Sequence, residues 1–569
     1  MTNKRTYKQQ ALTQLLIVLA IIATLNVLSS SFFLRMDITE DKRFTLTDST
    51  KKLLHNLKDV VFVKVYLTGD MPPDYKRLSL ATKEFLDEMK VYGKDKIQYK
   101  FEDPTKGKSR EEKEKIYQEL SEKGLQPTIA TKNSDDPYAT NVVVPGAIIY
   151  FKGKEFPVSL VYTINGRSSQ PSLNNSIAQL ENTFSEAIEQ LSLIRKSKIG
   201  FIRGQGELPD YNIADFVSAL SFFYNPEWID VENEVRISKD YSTLIIAKPT
   251  TTFSEKDKFK IDQYIMNGGK VLWLIDVLNA EFDSLARRGS MLTYDYPLNL
   301  DDQLFRYGVR INPDLIMDLQ CSPIPVPAKT YGGKQQYQYI PFTYFPILSP
   351  NAAANNPIGG NVDAVQAKFV NSIDTLALKT LKKTVLLKSS GKSRIVFTPW
   401  LIDLRELQNE PNISEFNKKN QIAAVLLEGT FPSVFQNRVT KEMETLLRDS
   451  LKQPFNAESV TTKMIVISDG DIIRNGVNQQ GIPFSLGYYP ITGDYFGNKN
   501  FLLNCVDYLA GYSQHITTRS KTIGLRLLDE PKIKESKLKW QLINIFAPLG
   551  ALLIFGFIFN FIRIRKFAR

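Results

Sequence analysis

Hydrophobic and polar positions follow three regimes along this chain. At its two ends they do not alternate at all: Ala11–Leu34 (ALTQLLIVLAIIATLNVLSSSFFL) and Gln541–Ile562 (QLINIFAPLGALLIFGFIFNFI) contain no charged residue. As helices rising about 1.5 Å per residue, both are long enough to cross the roughly 30 Å hydrocarbon core of a bilayer. Lys4, Arg5 and Lys8 precede the first run, and Arg563, Arg565, Lys566 and Arg569 follow the second. Basic flanks stay cytoplasmic, so both termini are expected there, with Arg5, Lys8, Trp540, Arg563 and Arg565 at the membrane interfaces. A cleaved signal peptide is the rival reading of the first run: its length and the lack of an A-x-A site argue against it, and Ser29-Ser30-Ser31 keeps it open. Pro548 and Gly550 are tolerated inside a membrane helix. Between Arg35 and Trp540 nothing is long and apolar enough to span, since Val142–Phe151 is strand-length and broken by Pro145-Gly146.

The second regime is short and mixed. Thr47 is placed to N-cap a helix through Leu53, Leu54 and Leu57, and Val60–Leu67 is β-branched and strand-like. Leu78, Ala81, Phe85 and Met89 form a helical stripe within Asp74–Tyr92. Ile97–Phe101 alternates as a strand, and Ser109–Lys123 reads as a charged helix stopped by Gly124. Asn141–Phe151 and Glu155–Val161 flank Lys152-Gly153-Lys154 as a hairpin. This βαβα-plus-hairpin order is that of a thioredoxin-like domain. Its redox members carry Cys-x-x-Cys after the first strand, whereas Thr68-Gly69-Asp70-Met71-Pro72-Pro73 has no thiol, so a binding or structural module is expected. Gly166–Asn175 reads as a domain boundary. After it, Ile177, Leu180, Phe184, Ile188 and Leu191 share one helical face, expected to pack in a core.

The third regime consists of fully apolar strands separated by helices. Strands are expected at Lys198–Ile202, Thr243–Ala247, Val271–Ile275 and Lys463–Ser468, and helices at Ile213–Phe223, Phe253–Asn267 and Asn498–Gly511. Such alternation builds a parallel, doubly wound sheet. The interval 308–450, rich in Pro, Tyr and Asn near Cys321–Pro350, reads as an insertion with short strands of its own at Thr384–Leu387 and Ile395–Thr398. The expected map is a cytoplasmic N-terminus (1–10), an anchor (11–34), a thioredoxin-like domain (35–165), a linker and connecting helix (166–196), and the α/β domain (197–530). A juxtamembrane segment (531–540), a second anchor (541–562) and a cytoplasmic tail (563–569) complete it.

Charge changes this picture less than its total suggests. Of the net +11, the N-terminal tip holds three and the C-terminal tail four, which leaves four on everything between. The tip charges fix topology against anionic lipid, so no nucleic-acid partner is expected. Two cysteines, Cys321 and Cys505, are too few for a disulfide framework, although a single bridge stays open. A large exported region with so little cysteine suits a bacterial periplasm.

Four segments taken in order carry a resemblance: TEDKRFTLT (Thr39–Thr47), GFIRGQGE (Gly200–Glu207), KFKIDQYIMNGGKVLWLID (Lys258–Asp276) and SDGDIIRN (Ser468–Asn475). Together they resemble the gliding-motility-associated ABC-transporter auxiliary proteins, the GldG type, over essentially the whole chain. The resemblance implies an inner-membrane protein partnered by a separate permease and a separate ATPase. It also implies a central domain similar to the class I glutamine-amidotransferase fold.

An amidotransferase needs a cysteine on a strand-to-helix elbow and a histidine to activate it. Here Cys505 falls within a helix, Cys321 in a Pro-rich stretch, and His55 and His515 are distant in sequence from any elbow, so no catalytic residue is assigned. Gly204-Gln205-Gly206-Glu207 follows a strand as a dinucleotide loop would, but Pro209 stands where the third glycine belongs, and a tight turn is the default reading. No P-loop occurs, so ATP is left to another subunit. Glu207, Asp276, Asp469 and Asp471 should lie at the carboxyl ends of parallel strands, where open α/β sheets bind ligands; with Gly204 and Gly206 they are the ligand or interface candidates. Capping of the following helices is their blander role. Two His and two Cys, far apart, supply no transition-metal set, and no cofactor is expected. The expectation is therefore a non-enzymatic, membrane-anchored auxiliary subunit with lipid, permease, ATPase and an envelope or exported protein as partners. The alternatives are a solute-binding module feeding the permease, and a hydrolase or transferase using the carboxylate edge.

Overall fold

The computed structural model describes residues 13–24, 45–69, 71–133, 136–161, 169–192, 195–331, 334–351, 356–360, 362–449, 454–512, 516 and 530–567. Arg5, Lys8, His515, most of TEDKRFTLT and the first anchor outside Thr13–Thr24 lie beyond these. Thr13–Thr24 is a short apolar helix with exposed side chains.

The first globular part is built on helix α1 (Asp48–His55), strand β1 (Val61–Val65), helix α2 (Pro73–Gly93), strand β2 (Ile97–Phe101), helix α3 (Arg110–Glu122), strands β3 (Gly146–Phe151) and β4 (Lys154–Ser159), and helix α4 (Ser169–Ser192). The sheet order is β2-β1-β3-β4, with β1 parallel to β2 and antiparallel to β3. Local sequence explains the helix starts. Thr47 accepts from the Thr50 backbone N–H at the start of α1, and Ser109 with Glu112 forms a reciprocal capping box on α3. Leu78, Leu86 and Met89 of α2 and Leu180, Phe184 and Ile188 of α4 bury one sheet face in a single core. Leu120 of α3 packs with Tyr66 and Ile148 on the other. The expected continuous strand Asn141–Phe151 is two strands instead, one paired as a ribbon (Thr128–Asn133 with Asp136–Val143) and the other β3. Pro145, which cannot donate to a ladder, falls between them.

The larger part is one mixed sheet. Its parallel half comprises β5 (Ser197–Arg203), β6 (Tyr224–Asp230), β7 (Tyr241–Ala247), β8 (Val271–Leu274) and, far along the chain, β13 (Thr462–Ile467), ordered β6-β5-β7-β8-β13. Helices α5 (Asp210–Ser221) and α7 (Asn498–Ala510) cover one face, with Phe216, Leu220, Phe501, Leu502 and Cys505 against Phe201, Ile245, Leu272 and Ile465. Helix α6 (Glu255–Met266) covers the other, with Ile261 and Ile265 against Leu244, Ile246, Trp273 and Val466. Covered on both faces, these strands need apolar residues at every position, which is why they read as unbroken runs. Strand β6 escaped the sequence reading: it is an edge strand in which only Tyr224 and Ile229 are buried, and it contains Pro226.

The interval 308–450 does not stand apart as the expected insertion. Strands β9 (Cys321–Tyr331), β10 (Lys334–Pro350), β11 (Leu381–Lys388) and β12 (Ile422–Gly429) continue the same sheet antiparallel beyond β13. Thr384–Leu387 thus lies in the main sheet, whereas Ser393–Phe397 pairs separately with Asp314–Asp318. The Pro-rich stretch after Cys321 is the outermost strand. Tyr489 donates its hydroxyl to the Pro323 carbonyl, so that residue's backbone faces away from β10, and strand parity puts Pro325 and Pro327 on the same outer side. Proline is tolerated there because an outward N–H has no ladder partner to lose.

The C-terminal unit is a single helix, α8 (Glu530–Phe567), continuous through Pro548. Among the described residues it alone is long and apolar enough to cross a membrane, over Leu538–Arg565, and its apolar side chains are exposed.

Candidate functional site

Three neighbouring parallel strands deliver charged residues to one point at their carboxyl ends. β7 ends at Ala247 and hands on Lys248, which adopts a left-handed backbone (φ 54°) and is 2 % exposed. β8 is followed by Asp276, and β13 by Asp469-Gly470-Asp471. Lys248 Nζ sits 3.0 Å from Asp276 Oδ2, 2.7 Å from Asp471 Oδ2 and 2.7 Å from Glu281 Oε1. Arg474 closes the ring, with Nη1 3.1 Å from Glu281 Oε2 and 3.3 Å from Asp471 Oδ1. A glycine is required at position 470, because a Cβ there would stand 2.4 Å from Lys248 Cβ and 2.9 Å from its Cα. The Gly470 N–H donates to Asp276 Oδ1.

Burial and charge divide the carboxyls. Burial opposes the charged form of Lys248, but Asp276, Asp471 and Glu281 outweigh it and hold the ammonium well above the ordinary lysine range. Burial likewise pushes Asp276 up to about 6, with Lys248 only partly offsetting it. Asp471 is equally buried, yet Lys248, Lys368 and Arg474 together bring it down to about 2. Among the described residues Asp469 has no cation in contact; burial and the neighbouring Asp276 and Asp471 raise it well above the carboxylate range. Its oxygens accept the backbone N–H groups of Asp471 and Lys368, both at 2.7 Å, so it caps the short turn Gly470–Ile473. Asp276, Asp469 and Asp471 lie close enough to share a cation, and the cation that two of them share is the Lys248 ammonium. A buried lysine held charged by three carboxylates is neither a nucleophile nor a base.

The sequence-derived candidates therefore separate. Asp276, Asp469 and Asp471 meet; Glu207 does not join them. Its Oε2 accepts the Gln205 N–H at 2.9 Å within its own loop, and burial raises it. Gly204 (φ 118°) and Gly206 (φ 73°) shape that loop, and Thr250 fills the space beside Gly206, donating to its carbonyl at 2.9 Å. The Thr250 and Thr251 N–H groups also donate to the Gln205 carbonyl, so the crevice where strand order reverses, between β5 and β7, is closed by its own loops. A tight turn, rather than a phosphate cradle, is what the residues build. Lys248, Glu281 and Arg474 were not foreseen. The available signal was a lysine directly ending an apolar strand and an arginine three residues after Asp471.

Both cysteines are free. Burial pushes Cys321 up to about 12 and raises Cys505 well above the ordinary thiol range, so neither is a thiolate. His55 ends α1 in the other domain.

Beside the cluster, a cleft of about 470 Å³ opens where Ile275 and Val277 flank Asp276. Tyr296, Asp295, Asp301, Phe305 and Arg310 line it.

Residues 196–505, more than half of the chain, match the family described as an ABC-type uncharacterized transport system (ABC_transp_aux). Residues 40–150 match a domain of unknown function, DUF7088. An uncharacterized protein of Borreliella burgdorferi is 21% identical over 566 residues, covering 98% of this chain and 99% of its own length. Among solved structures, the mmIFT52 N-terminal domain aligns at 12% identity with 55% of this chain and 97% of its own, with a TM-score of 0.29 that is too low to carry an argument.

Proposed function

Because the chain belongs to the family of ABC-type uncharacterized transport systems, we propose that it is a non-catalytic auxiliary subunit of an ABC transporter, anchored in the bacterial inner membrane beside a separate permease and ATPase. The observation that carries this reading is the pairing of an exposed, membrane-length α8 with a charged cluster whose members are engaged with one another. At the sheet edge Asp276 and Asp471 are engaged by Lys248 and Arg474, and Asp469 by backbone N–H groups, which weighs against the hydrolase or transferase alternative. Gly550 and Ala551 of α8 are small enough for close approach to a permease helix. The first apolar run and the basic tips favour a two-pass arrangement with cytoplasmic termini and the large domains in the periplasm. The sheet order β2-β1-β3-β4 supports a thioredoxin-like reading of the first domain, and the layered parallel sheet an amidotransferase-like reading of the second. The ordered segments from Gly200 to Asn475 support assignment to the gliding-associated type.

Purification of the tagged chain from membranes in mild detergent, with partners identified by mass, should recover one permease and one ATPase. Recovery of the chain alone, or from the soluble fraction trimmed after Ser31, refutes the proposal.

A further inference from the structure

The cleft beside Asp276 carries charges that the chain does not answer. Asp302 at its wall is taken by Lys258 (2.7 Å) and Arg438 (2.8 Å). Asp295 and Asp301 have no cation partner among the described residues, and Arg310 has no carboxylate. Unlike the ion-paired cluster behind it, the cleft keeps two open carboxylates against one open guanidinium.

An exposed apolar strip adjoins it along the chain, through Tyr294 next to Asp295. Strand Ser290–Thr293 pairs with Trp400–Asp403, placing Leu292 directly opposite Leu401. Thr293 and Ile402 turn into the core, so Leu292 (54 % exposed), Leu401 (50 %) and Tyr294 (58 %) face out. Thr398 Oγ1 lies 3.3 Å from Asp295 Oδ1 and 3.0 Å from the Pro313 carbonyl, and the residue before it, Phe397, is 67 % exposed. Phe305, 55 % exposed, lines the cleft itself. Adjacent large apolar side chains at such exposure mark an interaction surface rather than ordinary scatter.

We propose that this cleft and strip dock an extended segment of a partner protein that combines apolar side chains with an excess of Lys or Arg. The charge balance selects the sign, because the unanswered groups sum to one negative charge. The same carboxylates disfavour an anionic lipid surface. The strip extends beyond the cleft, which favours a polypeptide over a small zwitterionic solute. The inference rests on the auxiliary-subunit reading and names the surface that such a subunit presents.

The test uses the full chain in mild detergent and fluorescence anisotropy with short synthetic peptides alternating Leu or Val with Lys, against matched peptides with Glu in place of Lys. The Lys peptide should bind about ten-fold more tightly, the order expected of two exposed ion pairs. The Asp295→Asn/Asp301→Asn variant should abolish that preference, and Leu292→Ser/Leu401→Ser should weaken both peptides. All four side chains are exposed, and continued protection of the buried Cys505 thiol verifies folding. Equal binding of the two peptides, or a Lys preference that survives in the Asn variant, overturns the proposal. So does loss of peptide binding to a free dipeptide at stoichiometric concentration, which makes the cleft a solute site. Recovery of the permease from membranes with these peptide results negative leaves the auxiliary reading standing and removes only the docking surface.

Discussion

Replacing Lys248 with Met tests the charged cluster most directly. The side chain is 2 % exposed and is the only cation touching Asp276 within the cluster, while Asp471 and Glu281 keep Arg474. Removing one partner of a buried ion pair leaves uncompensated charge and costs about 3–5 kcal/mol. For a domain of this size that lowers Tm by roughly 6–10 °C. Cys505 is a built-in reporter: it is fully buried on α7 against the sheet and reacts with maleimide only when that packing opens. In a Cys321→Ser background, urea-dependent labelling of Cys505 should show the midpoint falling in Lys248→Met. Adding Asp276→Asn should restore part of the loss, because it removes the carboxylate left without a counter-ion. The linkage has a definite sign. Without Lys248 the folded-state values of Asp276 and Asp471 rise above their unfolded ones, so the folded variant binds extra protons and its deficit shrinks as pH falls from 7 towards 5. A deficit below about 1 kcal/mol, the size of an ordinary substitution, or a double variant no more stable than Lys248→Met refutes the cluster as an ion-paired core.

Further outcomes follow from the same geometry. Gly470→Ala forces a Cβ against the Lys248 backbone and should cost about 1–3 kcal/mol in the Cys505 labelling assay. Asp276, raised to about 6 in the folded chain, contributes stability that is present below its unfolded value and is lost as pH rises through about 6; Asp276→Asn should abolish that pH 4–6 slope in denaturation midpoints. Asp471, lowered to about 2, works the other way: its contribution is present above the unfolded value and disappears on acidification towards 2, a loss that Asp471→Asn should not show. Gly206→Ala combines a positive φ with a Cβ 2.3 Å from Thr250 Oγ1 and should lower the midpoint by about 1–2 kcal/mol without changing permease recovery.

How much of this was legible varied with the range of the interaction. Helices set by local capping, such as Arg110–Glu122 with its Ser109 cap or Glu255–Met266 with Ser254, appeared in the sequence almost to the residue. The parallel strands were legible because burial on both faces leaves unbroken apolar runs. Asp276, Asp469 and Asp471 were recognisable as strand-end residues, although nothing local says that Lys248, more than 200 residues before Asp471, supplies their counter-charge. Glu207 looked equivalent to them and is not, because its loop folds back on Thr250 and Thr251. The antiparallel half of the sheet was hidden for the same reason: the pairing of β12 with β13 joins segments separated by an exposed helix, Lys441–Asp449, and β9 disguises itself with three prolines.

Those prolines have a consequence for life at high density. Molecules at high local concentration meet often, and an open sheet flank is the usual place where such encounters become fibres. With the Pro323 carbonyl already taken by Tyr489, Pro325 and Pro327 present that flank with carbonyl oxygens and no N–H groups, so a second copy finds no donor at these residues. Crowding therefore gives a neighbouring copy no ladder to extend at those positions.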